Sequence, residues 1–336
     1  MKLATLKNGT RDGKLVVVSR DLTRACVVDG IAATLQGALD DWSRTRPLLE
    51  QLSEQLNALR QPGDFSFDPT QAMAPLPRAY QWIDGSVYLN HIQLMQKAFV
   101  GDSKIVFNSQ EPLVYQGGSD GMLGPTEDIE AVDEDAGIDF EGEVAVITDD
   151  VRMGTGATEA ADKIRLVMLV NDVSLRNLIL HELGKGFGFY QAKPATAFAP
   201  VAVTPDELGS DWRDGLLHLP LVLHWNDQLF GQPNAGDGAG FNFADLIAHA
   251  AKTRHLCAGS IIGLGTVSSA APGAGSACIA EHRAMQRLAG RENLTPYMRF
   301  GDRIRMDITD RHGRSVFGAI DQRVRQLRPN RDGQRP

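Results

Sequence analysis

Two glutamates two residues apart pose the first chemical question. Glu141 and Glu143 lie in the run Phe-Glu-Gly-Glu-Val-Ala-Val-Ile, whose apolar and β-branched residues read as a strand. Side chains at i and i+2 of a strand project to one face, about 6 to 7 Å apart along the chain. Like charges placed side by side repel unless a cation joins them. Asp172 follows the apolar run Leu-Val-Met-Leu-Val-Asn, at the mouth of a strand expected to be buried, and Asp84 stands between Trp82-Ile83 and Gly85. Hard divalent ions such as Mg²⁺ and Ca²⁺ take oxygen ligands. With no Cys or His clustered beside them, four carboxylates suit such ions better than zinc.

Spacing alone leaves alternatives open. Glu141 and Glu143 could face solvent from an edge strand, and Asp172 could be a helix N-cap. His91 lies seven residues after Asp84, where a single histidine is more often an ordinary core or surface residue. Lys193 precedes Pro194 in QAKPATAFAP, a setting in which a lysine is normally solvated. Gly265-Thr266 follows the apolar SIIGL, as a strand ending in a tight turn would, with backbone N–H groups available to a ligand.

The elements that must position these residues follow from periodicity. Lys2–Leu6, Lys14–Val18 and residues 25–28 read as short strands separated by NGT, DG and SRD turns. Residues 33–60 carry apolar positions at helical spacing, and Pro47 predicts a kink or two helices there. The proline-rich 62–78 reads as a linker. This gives a small N-terminal domain over 1–72 and a larger one over 78–327. In the larger domain strands are predicted over 105–107, 142–147, 165–170, 219–223, 261–264 and 303–308, and a helix over 243–255. The tail 328–336 is expected to be disordered.

Composition narrows the class. The chain has 336 residues, 43% hydrophobic and 23% charged, ordinary for a soluble globular protein. Its net charge of −8, from 34 basic and 42 acidic residues, argues against nucleic acid or an anionic membrane as the main partner. No apolar run reaches about 18 residues and no signal core is present, so the expected location is cytoplasmic. Cys26, Cys257 and Cys278 are far apart and odd in number, so neither a disulfide framework nor a zinc pattern follows.

Five segments taken in order resemble the fumarylacetoacetate hydrolase family. They are DGSVYLNH at 84–91, DFEGEVAV at 139–146, NDVSLRN at 171–177, KPATAFAP at 193–200, and GTVSS at 265–269 with GSACIAE at 275–281. The resemblance covers residues 78 to 327. It implies an α+β fold: a β-rich mixed roll behind a small β-containing N-terminal domain, assembled as a homodimer. It implies metal ligation by Asp84, Glu141, Glu143 and Asp172, with Mg²⁺ or Ca²⁺, or Mn²⁺, as cofactor. His91 would be the base that activates water, oriented by Glu281. Arg176 and Lys193 would contact substrate oxygens, Lys185 being a decoy for the lysine motif, and Tyr115 with Gly265 and Thr266 would hold a substrate carboxylate.

The implied activity is metal-dependent hydrolysis of a C–C bond in a 1,3-diketo acid, such as fumarylacetoacetate or an acylpyruvate, in the catabolism of tyrosine or other aromatic compounds. The alternatives are a 2-oxo acid decarboxylase or isomerase on the same scaffold, or a non-catalytic small-acid binder. Three positions depart from the family pattern, all at substrate contacts: Ile179 replaces a glutamine, Ala197 a threonine (with Thr196 beside it), and Val100 an arginine.

Overall fold

The computed structural model describes residues 1–59, 62–100 and 110–328. Its central feature is the strand Gly142–Thr148, paired antiparallel on one side with Ile164–Asn171 and on the other with Ile261–Gly263. Every residue of Gly142–Thr148 is buried, so its alternation sorts residues between two cores rather than between core and water. Val144 and Val146 join a cluster with Leu221, Leu223, Ile304 and Met306. Ala145 and Ile147 join another with Trp82, Met168, Val170, Leu39 and Leu49.

The sheet extends from both flanks of this centre. Trp82–Ser86 pairs parallel with Ile261–Gly263, and Leu113–Gly117 closes that edge antiparallel to Trp82–Ser86. On the opposite flank Ile164–Asn171 meets Ala202–Val203, which pairs with Lys2–Leu6. The N-terminal strands Lys2–Leu6, Lys14–Val18, Arg24–Val27 and Phe65–Ser66 therefore continue the same eleven-stranded sheet. A second sheet of five strands, Gln228–Gly231, Leu221–Trp225, Arg303–Ile308, Ile320–Gln326 and Ile129–Ala131, supplies the first core. The architecture is mixed and β-rich, as expected.

Local expectations differ in places. The helical stretch splits into Leu35–Leu39 and Trp42–Asn57, and Pro47 lies within the second helix. The break falls at Asp40-Asp41, where the Asp41 carbonyl accepts from Arg44 and Thr45 N–H to start a new helix. The Thr45 hydroxyl donates to the Ala38 carbonyl (2.7 Å) across the junction. The predicted 243–255 helix stops at Ala250, opened by a capping box between Asn242 and Asp245. The predicted 105–107 strand and all of the predicted tail beyond Arg328 lie outside the described residues. Among the described residues no helix is long and apolar enough to cross a membrane.

Candidate active site

The period-2 geometry of the sheet assembles the acidic floor. Asp84 continues the row begun by Trp82, Glu143 the row of Ala145 and Ile147, and Asp172 the row of Leu166, Met168 and Val170. All those apolar neighbours belong to one core cluster. At its end the row changes from apolar to acidic, and oxygens of Asp84, Glu143 and Asp172 come within 4.8 Å of one another. Gly263 lies between Asp84 and Ala145 in the register. A Cβ there would sit 2.3 Å from Asp84 Oδ1, so glycine is required for the carboxylate to reach the cluster. Because Gly142–Thr148 is central and fully buried, the edge-strand alternative for Glu143 does not hold. The N-cap alternative for Asp172 fails too, since the next helix, Arg176–Leu183, is capped at Leu175.

The three carboxylates fit a hard divalent cation. Asp84 Oδ1 and both Glu143 oxygens are buried with no hydrogen-bond partner among the described residues, an arrangement that is costly unless a charge of opposite sign completes it. Burial first, then the neighbouring carboxylates, push both Asp84 and Glu143 well above the usual carboxylate range. Oxygen-only donors around a small buried point match Mg²⁺, Mn²⁺ or Ca²⁺.

Glu141 has different surroundings. Its Oε1 accepts from Arg176 Nη2 (2.6 Å) and its Oε2 from Lys193 Nζ (2.6 Å). Burial would raise its pKa, but the Arg176 and Lys193 charges reverse this and hold it well below the usual range. Lys193 also donates to Asp172 Oδ2 (2.7 Å). Burial opposes its charge, yet Asp172 and Glu141 outweigh it and push its pKa above the ordinary lysine value. Tyr115, opposite Asp84 in the register, donates to Asp172 Oδ2 (2.5 Å), and Thr196 donates to Asp172 Oδ1 (2.7 Å). Thr196 thus supplies the hydroxyl that position 197 lacks.

His91, buried on the helix Leu89–Met95, bonds through Nδ1 to Glu281 Oε2 at 2.7 Å. An ionised Glu281 can only accept there, which favours the tautomer with the proton on Nδ1 and the lone pair on Nε2. Glu281 sits in the first turn of Ile279–Leu288. His91, Arg176, Lys193, Tyr115, Thr266, Asp84, Glu141 and Glu143 all line one cavity of about 330 Å³. Gly265 does not line it. With φ of +88° and a Cβ position only 2.3 Å from the Gly85 carbonyl, it forms the turn that delivers Thr266. Lys185 is exposed and does not line this cavity.

Two positioning residues were not singled out in the sequence. Asp139 accepts from Arg176 Nε (2.8 Å) and from the Ile279 and Ala280 N–H groups (2.8 and 2.9 Å), joining the arginine to the helix that carries Glu281. Its signal was its place two residues before Glu141. Glu182 accepts from the N–H groups of Tyr190, Gln191 and Ala192, pinning the loop that leads to Lys193. Nothing in its local sequence marks that role.

Comparison with known proteins bears on the family and the fold. The family pattern described as "Fumarylacetoacetate (FAA) hydrolase C-terminal" matches residues 81–325, and "Fumarylacetoacetase N-terminal domain 2" matches 1–78. No curated protein sequence matches. Solved structures of the same fold include a fumarylacetoacetate hydrolase from psychrophilic Exiguobacterium antarcticum (18% identity, 97% of this chain and 100% of that one, TM-score 0.65). They also include maleylpyruvate hydrolase from Sphingobium sp. SYK-6 in complex with manganese (II) ion and pyruvate (18%, 97% and 99%, TM-score 0.62). A third is 2-hydroxyhepta-2,4-diene-1,7-dioate isomerase from Mycobacterium marinum (15%, 97% and 98%, TM-score 0.60). With one pattern spanning most of its length, this chain belongs to the fumarylacetoacetate hydrolase family.

Proposed function

We propose that the chain is a divalent-metal-dependent hydrolase that cleaves a carbon–carbon bond in a 1,3-diketo acid, in the catabolism of aromatic compounds. The observation that carries this reading is His91, held by Glu281 at 2.7 Å and lining the same cavity as Asp84 and Glu143. An isomerase or decarboxylase of 2-oxo acids needs no attacking water, whereas a histidine fixed by a buried carboxylate is suited to taking a proton from one.

Asp84, Glu143 and Asp172 would hold the cation, with Glu141 beside them. When bound, Mg²⁺, Mn²⁺ or Ca²⁺ supplies Lewis-acid polarisation of the substrate's oxygens. Arg176 and Lys193 orient the substrate's carboxylate and keto oxygens, and the Lys193 ammonium lies ready to stabilise the enolate as it develops. His91 Nε2 takes the proton from water while Glu281 stabilises the ring's positive charge through Nδ1. For an acylpyruvate the balance is R–CO–CH₂–CO–COO⁻ + H₂O → R–COO⁻ + CH₃–CO–COO⁻ + H⁺. Water oxygen bonds to the acyl carbon, the bond to CH₂ breaks, and its electron pair passes to the pyruvate fragment, which gains a proton.

The experiment is a panel of acylpyruvates and fumarylacetoacetate assayed with Mg²⁺, Mn²⁺ and Ca²⁺ in ¹⁸O-water, with His91→Ala alongside. Label is expected in the released carboxylate, and the variant should lose about 10² to 10⁴-fold in kcat. Cleavage without label, or near wild-type turnover by the metal-loaded variant, would refute water activation by His91.

A further inference from the structure

The cavity has two unlike halves. Its inner half holds the carboxylates, Arg176, Lys193 and His91, and its walls further out are apolar, with Ile92, Met95, Phe99, Leu113, Ile179 and Phe189 among them. Two helices build this division in the same way. On Leu89–Met95, His91 is followed one turn later by Met95, and on Arg176–Leu183, Arg176 is followed by Ile179 and Leu180. Residues three and four apart share a helix face, so each helix presents a working polar group and then a hydrocarbon surface. Leu180 (61% exposed) and Leu183 (39%) continue that surface to the mouth.

The positive charges matter as much as the apolar walls. Among the described residues lining the cavity, Arg176 and Lys193 are the only permanent cations. Both are already paired, Arg176 with Asp139 and Glu141, and Lys193 with Glu141 and Asp172. Arg287 lies over the Phe99 ring (5.5 Å) but does not line the cavity. Among the described residues a second carboxylate at the far end of a substrate would therefore meet hydrocarbon and no cation, and desolvating an unpaired charge is far more costly than leaving it in water. An alkyl or aryl group there would bury its own surface favourably.

We propose that the acyl group of the substrate is an apolar alkyl or aryl tail, so that the chain acts on 2,4-dioxo acids carrying one carboxylate and discriminates against those carrying two. Ile179 is the specificity-determining residue at the boundary between the two halves. This rests on the diketo-acid reading for turnover, but the choice of tail has its own binding test.

Two measurements separate them. Kinetics with Mn²⁺ would compare straight-chain 2,4-dioxo acids of increasing length with a matched series ending in a carboxylate. The expected result is a few-fold rise in kcat/KM per added methylene over the first few, and rates at least about 100-fold lower for the dicarboxylates. Thermal shift with Mn²⁺ would compare the non-cleavable 2-oxooctanoate with 2-oxooctanedioate, and the monocarboxylate should stabilise more. Ile179→Arg should reverse both preferences, and Ile179→Leu should keep them. If no dioxo acid is cleaved but 2-oxooctanoate still stabilises more, hydrolysis fails and the apolar-tail assignment stands. Equal or stronger stabilisation by the dicarboxylate, no stabilisation by either, or faster turnover of the carboxylate-ended series would overturn the assignment.

Discussion

Glu141 and Glu143 are two residues apart and both buried, yet the two sides of the floor they define are electrostatic opposites. On the Glu141 side every carboxylate oxygen meets a cation, Arg176 or Lys193. On the Glu143 side both oxygens lack a hydrogen-bond partner among the described residues and lie beside Asp84 and Asp172. A paired buried carboxylate is a structural joint, whereas an unpaired one is a seat for something the chain does not itself provide. Sequence spacing treats the two residues as equivalent, and it is the partners brought in from elsewhere in the chain that separate them.

The sharpest way to exploit that difference is to remove one negative charge from each side in turn. Glu143→Gln should abolish the thermal shift produced by Mn²⁺ and lower kcat/KM by about 10³-fold, as read by differential scanning fluorimetry and steady-state assay. An undiminished Mn²⁺ shift would make Glu143 a bystander. Next in size, Glu141→Gln should destabilise the chelator-treated protein by about 3 to 5 kcal/mol in urea unfolding, because Arg176 and Lys193 lose a shared buried partner. If it were as stable as wild type, the paired side would not be a joint.

The smallest effect has the opposite sign. In chelator-treated protein Glu143→Gln should stabilise by about 1 to 2 kcal/mol at neutral pH, since it removes a carboxyl whose ionisation the buried site opposes. The pH dependence follows from the raised pKa of Asp84 and Glu143. A carboxyl whose pKa is higher folded than unfolded holds its proton more tightly in the native state. Its contribution is fully present below the unfolded value and is lost as pH rises through the folded one. The advantage of the variant should therefore widen from weakly acidic to neutral pH in paired melting curves. An advantage that narrows over that range would reverse the assigned direction.

What the sequence made legible was local. The apolar run over 165–170 placed Asp172 at the mouth of a buried strand, because continuous burial writes itself as continuous hydrophobicity, whereas spacing alone left Glu143 on either a buried or an edge strand. Ile320–Gln326 escaped notice because IDQRVRQ alternates buried and polar positions with no long apolar stretch. Pro47 suggested a break that the chain makes at Asp40-Asp41 instead, where backbone and Thr45 hydrogen bonds can restart the helix. Asp84, His91 and Glu281 came from the family resemblance, not from pattern. The contact between His91 and Glu281 spans 190 residues, and no local period encodes a pairing at that distance. The apolar outer cavity was likewise hidden: Ile92 and Met95 are unremarkable in the sequence, and Ile179 shows there only as a departure from the family pattern, until both helices are found to line one cavity.

The parallel pairing of Trp82–Ser86 with Ile261–Gly263 has a further consequence for how the protein is made. Asp84 leaves the ribosome long before the strand that seats it. A nascent chain can therefore hold Asp84, Glu143 and Asp172 without yet having the floor that unites them. Such long-range pairing is intrinsically slow to form. The three carboxylates therefore cannot reach their final arrangement until that strand has been made and paired.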